Sequence, residues 1–196
     1  MNVNRRTKLN LIPMGLLIAI IIGSVFLFTA NNSFSVEQTV QALPVSINAW
    51  VTGETAGDII GGSTEAGKEG SIECISYSHS IVSPRDAASG MPTGKRQHKP
   101  FTIVKEVDKA TPYLLTAIIN NERLDIIFRF YTSENYNYYT ITLDGAYVAS
   151  FSQSYSSMGS DAAPPQEVIS FVYEKITWCW ESDGSTATDD WEEPNV

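Results

Sequence analysis

The stretch "FTIVKEVDKATPYLLTAIIN", residues 101–120, changes its period half-way. Residues 101–107 alternate apolar and polar positions with β-branched side chains, the signature of a strand. From Asp108 the spacing changes. Thr111 is placed as an N-cap and Pro112 at the first helical position. Leu114, Ala117 and Ile118 then share one face at i, i+3 and i+4. A helix this short is unstable alone and needs a sheet to pack on.

The sheet is supplied on both sides of this stretch. "VSINAWV" (45–51), "SIECISYSHSIV" (71–82), "NYNYYTITL" (135–143), "GAYVASFSQS" (145–154) and "EVISFVYEKITWCW" (167–180) all read as strands. "RLDIIFRFY" (123–131) places Leu124, Ile126, Phe128 and Phe130 on one face, with Asp125 and Arg129 on the other. Many short alternating runs with a single helix predict a mainly β domain, a sandwich or barrel. Three long connections separate the runs: residues 52–70, 83–100 and 156–166. The tail 182–196 is acidic and reads as a solvated, flexible end.

Residues 1–30 stand apart from this domain. Arg5, Arg6 and Lys8 precede an uncharged apolar run over 9–30, long enough to cross a bilayer of roughly 30 Å. The basic flank stays on the cytoplasmic side, so the domain is expected outside, anchored by residues 9–30 or secreted after cleavage. Residues 31–44 read as a linker and 45–181 as the β domain.

Charge and composition exclude several functions. The chain has 196 residues and a formal charge of −9. Three bases lie in the first eight residues and no acid precedes Glu37. Residues 36–196 therefore carry ten bases against twenty-two acids, a net −12. Such a surface repels nucleic acid. Two Cys and two His are too few for a structural zinc site of four Cys or His ligands. No metal or other cofactor is expected. Outside the cytoplasm Cys74 and Cys179, both in apparent strands, are candidates for a disulfide; two separately buried thiols fit the sequence as well.

"SGMPTGKRQHKP" (89–100) resembles the end of a phosphate-binding loop, but Ser89 stands where the first Gly belongs and Arg96 replaces the hydroxyl residue. A strand follows it, where a phosphate loop requires a helix. His79 lies five residues after Cys74, so alternation sends the two to opposite faces. His98, among Lys95, Arg96 and Lys99, reads as a surface histidine of depressed basicity. The acid pairs Asp189-Asp190 and Glu192-Glu193 fall in the tail, where nothing desolvates them. No catalytic constellation emerges, so no enzyme is expected. Tyr136 and Tyr138 share a strand face and read as a half-buried sheet surface or an oligomer contact.

The segments "IECISYSHSI", "KRQHKPFTIVKEVDKATPYL", "ITLDGAYVAS" and "EVISFVYEKITWCWE" together resemble the haemolysin-coregulated protein family, Hcp, the tube subunit of type VI secretion systems. The most specific element is Lys105, Asp108, Lys109, Thr111 and Pro112 in their spacing. The resemblance implies a small β-barrel of two packed sheets with one flanking helix. It implies homo-hexameric rings that stack into a tube, carry secreted effectors, act with other type VI components and catalyse nothing. It implies an extended loop reaching a neighbouring subunit, which makes Arg85, Lys95, Arg96 and Lys99 the subunit-interface candidates. It places Ser78 facing the lumen. The apolar N-terminal segment departs from the family pattern. It leaves a second reading, a membrane-anchored extracellular binding module on the same fold.

Overall fold

The computed structural model describes residues 46–155 and 164–190; the anchor and linker assignments of 1–44 lie outside the described residues. Eleven strands and one helix are present among them: β1 (Ser46–Gly53), β2 (Gly57–Ile59), β3 (Ile72–Ser78), β4 (Ile81–Val82), β5 (Gln97–His98), β6 (Phe101–Glu106), α1 (Thr111–Asn120), β7 (Leu124–Tyr131), β8 (Asn137–Ser154), β9 (Gln166–Val172), β10 (Lys175–Trp180) and β11 (Ser185–Asp190).

Six strands close a barrel in the order β1-β3-β6-β9-β8-β7, with β7 returning to β1. All of these pairings are antiparallel. The alternation read from "RLDIIFRFY" holds: Leu124, Ile126, Phe128 and Phe130 are buried in the core with Phe101, Ile103, Ile141, Leu143, Ile169 and Phe171. The helix buries Leu114 and Ala117 and partly buries Ile118 against that core, as its spacing predicts.

One strand serves both halves of the fold. β8 is a single 18-residue strand where the sequence suggested two. Its first half lies between β7 and β10, and its second half pairs with β9. The change of partner occurs at Gly145, whose φ of +61° lies in the left-handed region. A Cβ there would lie 2.2 Å from Glu174 Oε2, so no larger residue fits without displacement. Opposite this bend, Tyr173 and Glu174 interrupt what reads in sequence as one strand, 167–180, and divide it into β9 and β10.

Four expectations are corrected. Thr111 is not the N-cap: it is the first residue of α1, and Ala110 precedes it at φ −74°, ψ −22° without a side-chain cap. Asp108 takes the capping role, its Oδ1 accepting from Ala110 N–H at 3.0 Å, while Thr111 Oγ1 accepts from Asp108 N–H at 3.2 Å. The tail is not flexible throughout, because Ser185–Asp190 form β11 on the edge of β10. The run 71–82 is not one strand: β3 ends at Ser78 and β4 leaves the barrel to pair with β5. The connection 52–70 contains β2, which pairs with β1.

A buried ion pair lies inside one end of the barrel. Lys105 and Glu167 are directly opposite across β6 and β9, and both are 0 % exposed. Their charged atoms are 2.7 Å apart. Lys105 Nζ also reaches Asp108 Oδ1 at 2.9 Å and donates to Glu106 O at 2.7 Å and Thr111 Oγ1 at 3.3 Å. Glu167 Oε1 accepts from Gln153 Nε2 on β8 at 2.8 Å. Asp108 Oδ2 accepts from Gly62 N–H at 2.9 Å. Lys105, Asp108 and Thr111 of the sequence element thus form one polar cluster that fastens β6, β9, β8, the start of α1 and the 60–71 loop. Lys109 is exposed.

Replacing Lys105 by Met leaves Glu167 buried without its cation, which costs about 3–5 kcal/mol. Urea unfolding of Lys105→Met should show that loss, and adding Glu167→Gln should recover part of it. Equal stability of the single variant and the wild type would remove the cluster's structural role.

Candidate assembly surfaces

The 83–100 connection is an ordered arm rather than a structureless loop. Ile81 pairs with His98 and Val82 with Gln97. Lys99 N–H donates to Ser80 O at 2.9 Å, Thr93 N–H donates to Pro84 O at 3.0 Å, and Arg85 bridges Pro92. At the tip Asp86 Oδ1 accepts from Ser89 N–H and Ser89 Oγ at 2.7 and 2.8 Å. These Ser89 bonds hold the Asp86 carboxyl below its usual range. The arm leaves Ile81, Val82 and Met91 exposed, Met91 to 64 %.

A chain of polar side chains holds the base of the arm. His79 Nε2 lies 2.6 Å from Tyr173 Oη, and His98 Nδ1 lies 2.7 Å from the same oxygen. His98 Nε2 lies 2.7 Å from Asp189 Oδ2. The Arg96 guanidinium pairs with both carboxylate oxygens of Asp189. The indole of Trp178 lies beside both imidazoles, at 6.1 and 6.4 Å between ring centroids. Burial pushes the Tyr173 hydroxyl pKa far up, so it stays protonated.

The predicted residues separate into two groups. Lys95 and Lys99 are exposed, and Arg85 is exposed with its guanidinium donating to Gly90 O at 3.1 Å within the arm. Arg96 is turned back onto its own chain through Asp189. His98 is not a surface histidine: its side chain is 3 % exposed. Asp189, assigned to a solvated tail, is instead drawn into the barrel side by β11, with 13 % of its side chain exposed. Its spacing from His98 in sequence, 91 residues, hides the contact. Tyr138 and Tyr139 are half-buried, Tyr139 packing on Phe130 at 5.2 Å, while Tyr136 is exposed in the turn before β8.

Ser78 belongs to a wider surface. The register aligns Ser78, Thr102, Ser170 and Ser150 in one row across β3, β6, β9 and β8. Thr102 Oγ1 and Ser170 Oγ are hydrogen-bonded at 2.8 Å. The adjacent row is Ser76, Val104, Val168 and Ser152. Their strand neighbours Ile103 and Ile169 point into the core. These two rows carry no charge, in a chain of net charge −9. Alternate Ser in "SYSHS" and "SFSQS" was the sequence signal for it.

Cys74 and Cys179 are both free thiols. They occupy β3 and β10, which the sheet separates by β1, β7 and β8. Burial pushes the Cys74 thiol up to about 12, against the pull of the Lys105 charge. Among the described residues no group of three or more His, Cys, Asp or Glu is placed to hold a metal ion.

Residues 50–180, which include the arm, the helix and the Lys105–Asp108–Thr111 cluster, match the model of the family described as "Type VI secretion system effector, Hcp". The chain belongs to the Hcp family. The "Major exported protein" of Pseudomonas aeruginosa PAO1 is 34% identical over 145 residues, 70% of this chain and 84% of that protein. Among solved structures, a double mutant of the Hcp1 protein of E. coli EAEC 042 superposes with a TM-score of 0.67 at 28% identity, covering 76% of this chain and 100% of that one. The secreted protein Hcp3 of P. aeruginosa gives 0.62 at 26% identity, with the same coverage of each. The barrel with one flanking helix is thus the Hcp fold, as the sequence resemblance implied.

The two classes of arm cation differ in what their removal does to the single chain. Arg96→Ala should lower stability by about 1 kcal/mol or more, since it strips a paired carboxylate of its bidentate partner. Lys95→Ala and Lys99→Ala should stay within about 0.5 kcal/mol. Thermal unfolding of the three variants checks this; equal losses would contradict the assignment.

Proposed function

We propose that the chain is a non-catalytic ring and tube subunit of a type VI-like secretion system, working as stacked homo-hexamers. The family match over residues 50–180 carries this reading. The arm supports it, because a hairpin that leaves Arg85, Lys95, Lys99 and Met91 exposed suits a head-to-tail contact with an acidic neighbour. Arg96 serves the arm's own base instead. The uncharged rows around Ser78 form the wall of the lumen in this reading, where secreted effectors travel. The partners are copies of itself, effectors and other type VI components.

Export accompanies this function. Residues 9–30 act as a membrane anchor or as a leader removed during export, and the intact mass of the mature chain distinguishes the two.

Light scattering and negative-stain electron microscopy of the purified chain test the assembly. Six-membered rings are expected at pH 7.5. Arg85→Ala/Lys95→Ala/Lys99→Ala should abolish or weaken them while the circular dichroism of the barrel is retained. A wild-type monomer at high concentration would sink the tube reading and favour the anchored extracellular binding module. Rings that persist in the triple variant would remove the arm cations from the contact.

A further inference from the structure

We propose that the His79–Tyr173–His98–Asp189 chain is a proton-operated latch: with both imidazoles neutral it holds the arm on the barrel, and their protonation releases it. The hydrogen-bond inventory fixes the closed state. The Asp189 carboxylate only accepts, so His98 Nε2 carries its proton towards it. Neutral His98 then has a bare Nδ1, which accepts from the Tyr173 hydroxyl. That hydroxyl has one proton, already committed, so its oxygen accepts from His79 Nε2–H. Every donor in the chain meets an acceptor.

A single added proton is absorbed: His98 Nδ1–H donates to the Tyr173 oxygen, and neutral His79 moves its proton to Nδ1 so that Nε2 accepts from the Tyr173 hydroxyl. A second proton breaks the order, because Tyr173 then stands between two N–H donors and its own O–H loses its acceptor. It also places two cations side by side, the imidazole centroids being 5.8 Å apart. Among the described residues, the groups beside the pair include Asp189 from β11, Arg96 from the arm, Lys99, which lines the same recess as His98 and Tyr173, and the uncharged rings of Phe101 and Trp178. Asp189 favours protonation of His98, but its charge is shared with Arg96. Lys175 and Asp190, cross-strand partners on β10 and β11, stand on the opposite face of that ribbon.

The direction of the pH dependence follows. Burial holds His79 below its ordinary value of 6.5. Burial first, then the charges of His79 and Arg96, does the same at His98. The closed arm therefore binds fewer protons than the released one. Closure is complete above about pH 6.5 and is lost as the pH falls through the lower folded values. As a control on ring stability the latch rests on the tube reading; as a property of one chain it does not.

Hydrogen exchange of the full-length chain, corrected for intrinsic rates, tests it. Amides of residues 81–98 should be protected at pH 7.5 and lose protection by about pH 5.5, while β7 amides stay protected. Tyr173→Phe, which keeps both imidazoles, should speed arm exchange about tenfold at pH 7.5. His79→Gln, which keeps a donor for Tyr173, should move release to lower pH. Arm and β7 protection running in parallel to pH 5, or a Tyr173→Phe arm that exchanges like wild type, overturns the latch. Light scattering on the same samples separates the two readings. Absence of rings at pH 7.5 defeats the tube reading and leaves the exchange result standing. Rings that survive with the arm released show that the latch does not control assembly.

Discussion

The Lys105–Glu167 pair is the constraint around which the barrel is organised. Two charges with no solvent exposure are tolerated only when each finds several partners, and the surrounding residues supply them: Asp108, Thr111, Gln153 and a backbone carbonyl. Those partners come from the 106–111 stretch, which joins β6 to α1, and from β8. Satisfying one ammonium group therefore fixes where the helix begins, how β6 meets β9 and where the 60–71 loop is tied. An apolar pair at the same positions would fill the space but leave the approach of these segments unspecified. Asp108 has two tasks in this scheme, one oxygen towards Lys105 and the helix start, the other towards Gly62.

The two candidate assembly surfaces depend on the same frame. The arm springs from the end of β3 and returns into β6, so its root is positioned by strands the cluster holds in register. Its base is secured at the other end of β6 and β9 by Tyr173, and by β11, which reaches across to His98. The hydroxyl rows depend on the registers β3–β6, β6–β9 and β8–β9; a slip of one residue in any of them would turn core isoleucines outward in place of serines.

Much of the barrel was legible because period-two alternation is a local signal. Leu124 to Phe130, and Leu114 with Ala117, declare their buried faces without knowledge of their neighbours. What escaped was non-local. His98 reads as a surface residue among cations because its partners, Tyr173 and Asp189, lie 75 and 91 residues away. The acidic tail reads as solvated because no local feature announces that Asp189 will be paired by β11 and Arg96. Thr111 reads as a cap because a residue before proline is pushed out of the α region and Pro112 suits the first helical position, whereas here a buried lysine donates to its hydroxyl. The most specific part of the Hcp resemblance, by contrast, was the Lys105–Pro112 spacing, whose physical purpose becomes visible only when β9 supplies Glu167.

The rows of Ser78, Thr102, Ser170, Ser150 and their neighbours have a tribological consequence. A hydroxyl rotates to donate or accept as required, and a valine does neither. A surface of these two kinds holds no fixed charge and no preferred polarity, so a body sliding along it exchanges one weak, reorientable contact for the next. In the tube reading such a body, acidic or basic, would meet few deep minima in which to stop, and width would be what chiefly sorts it.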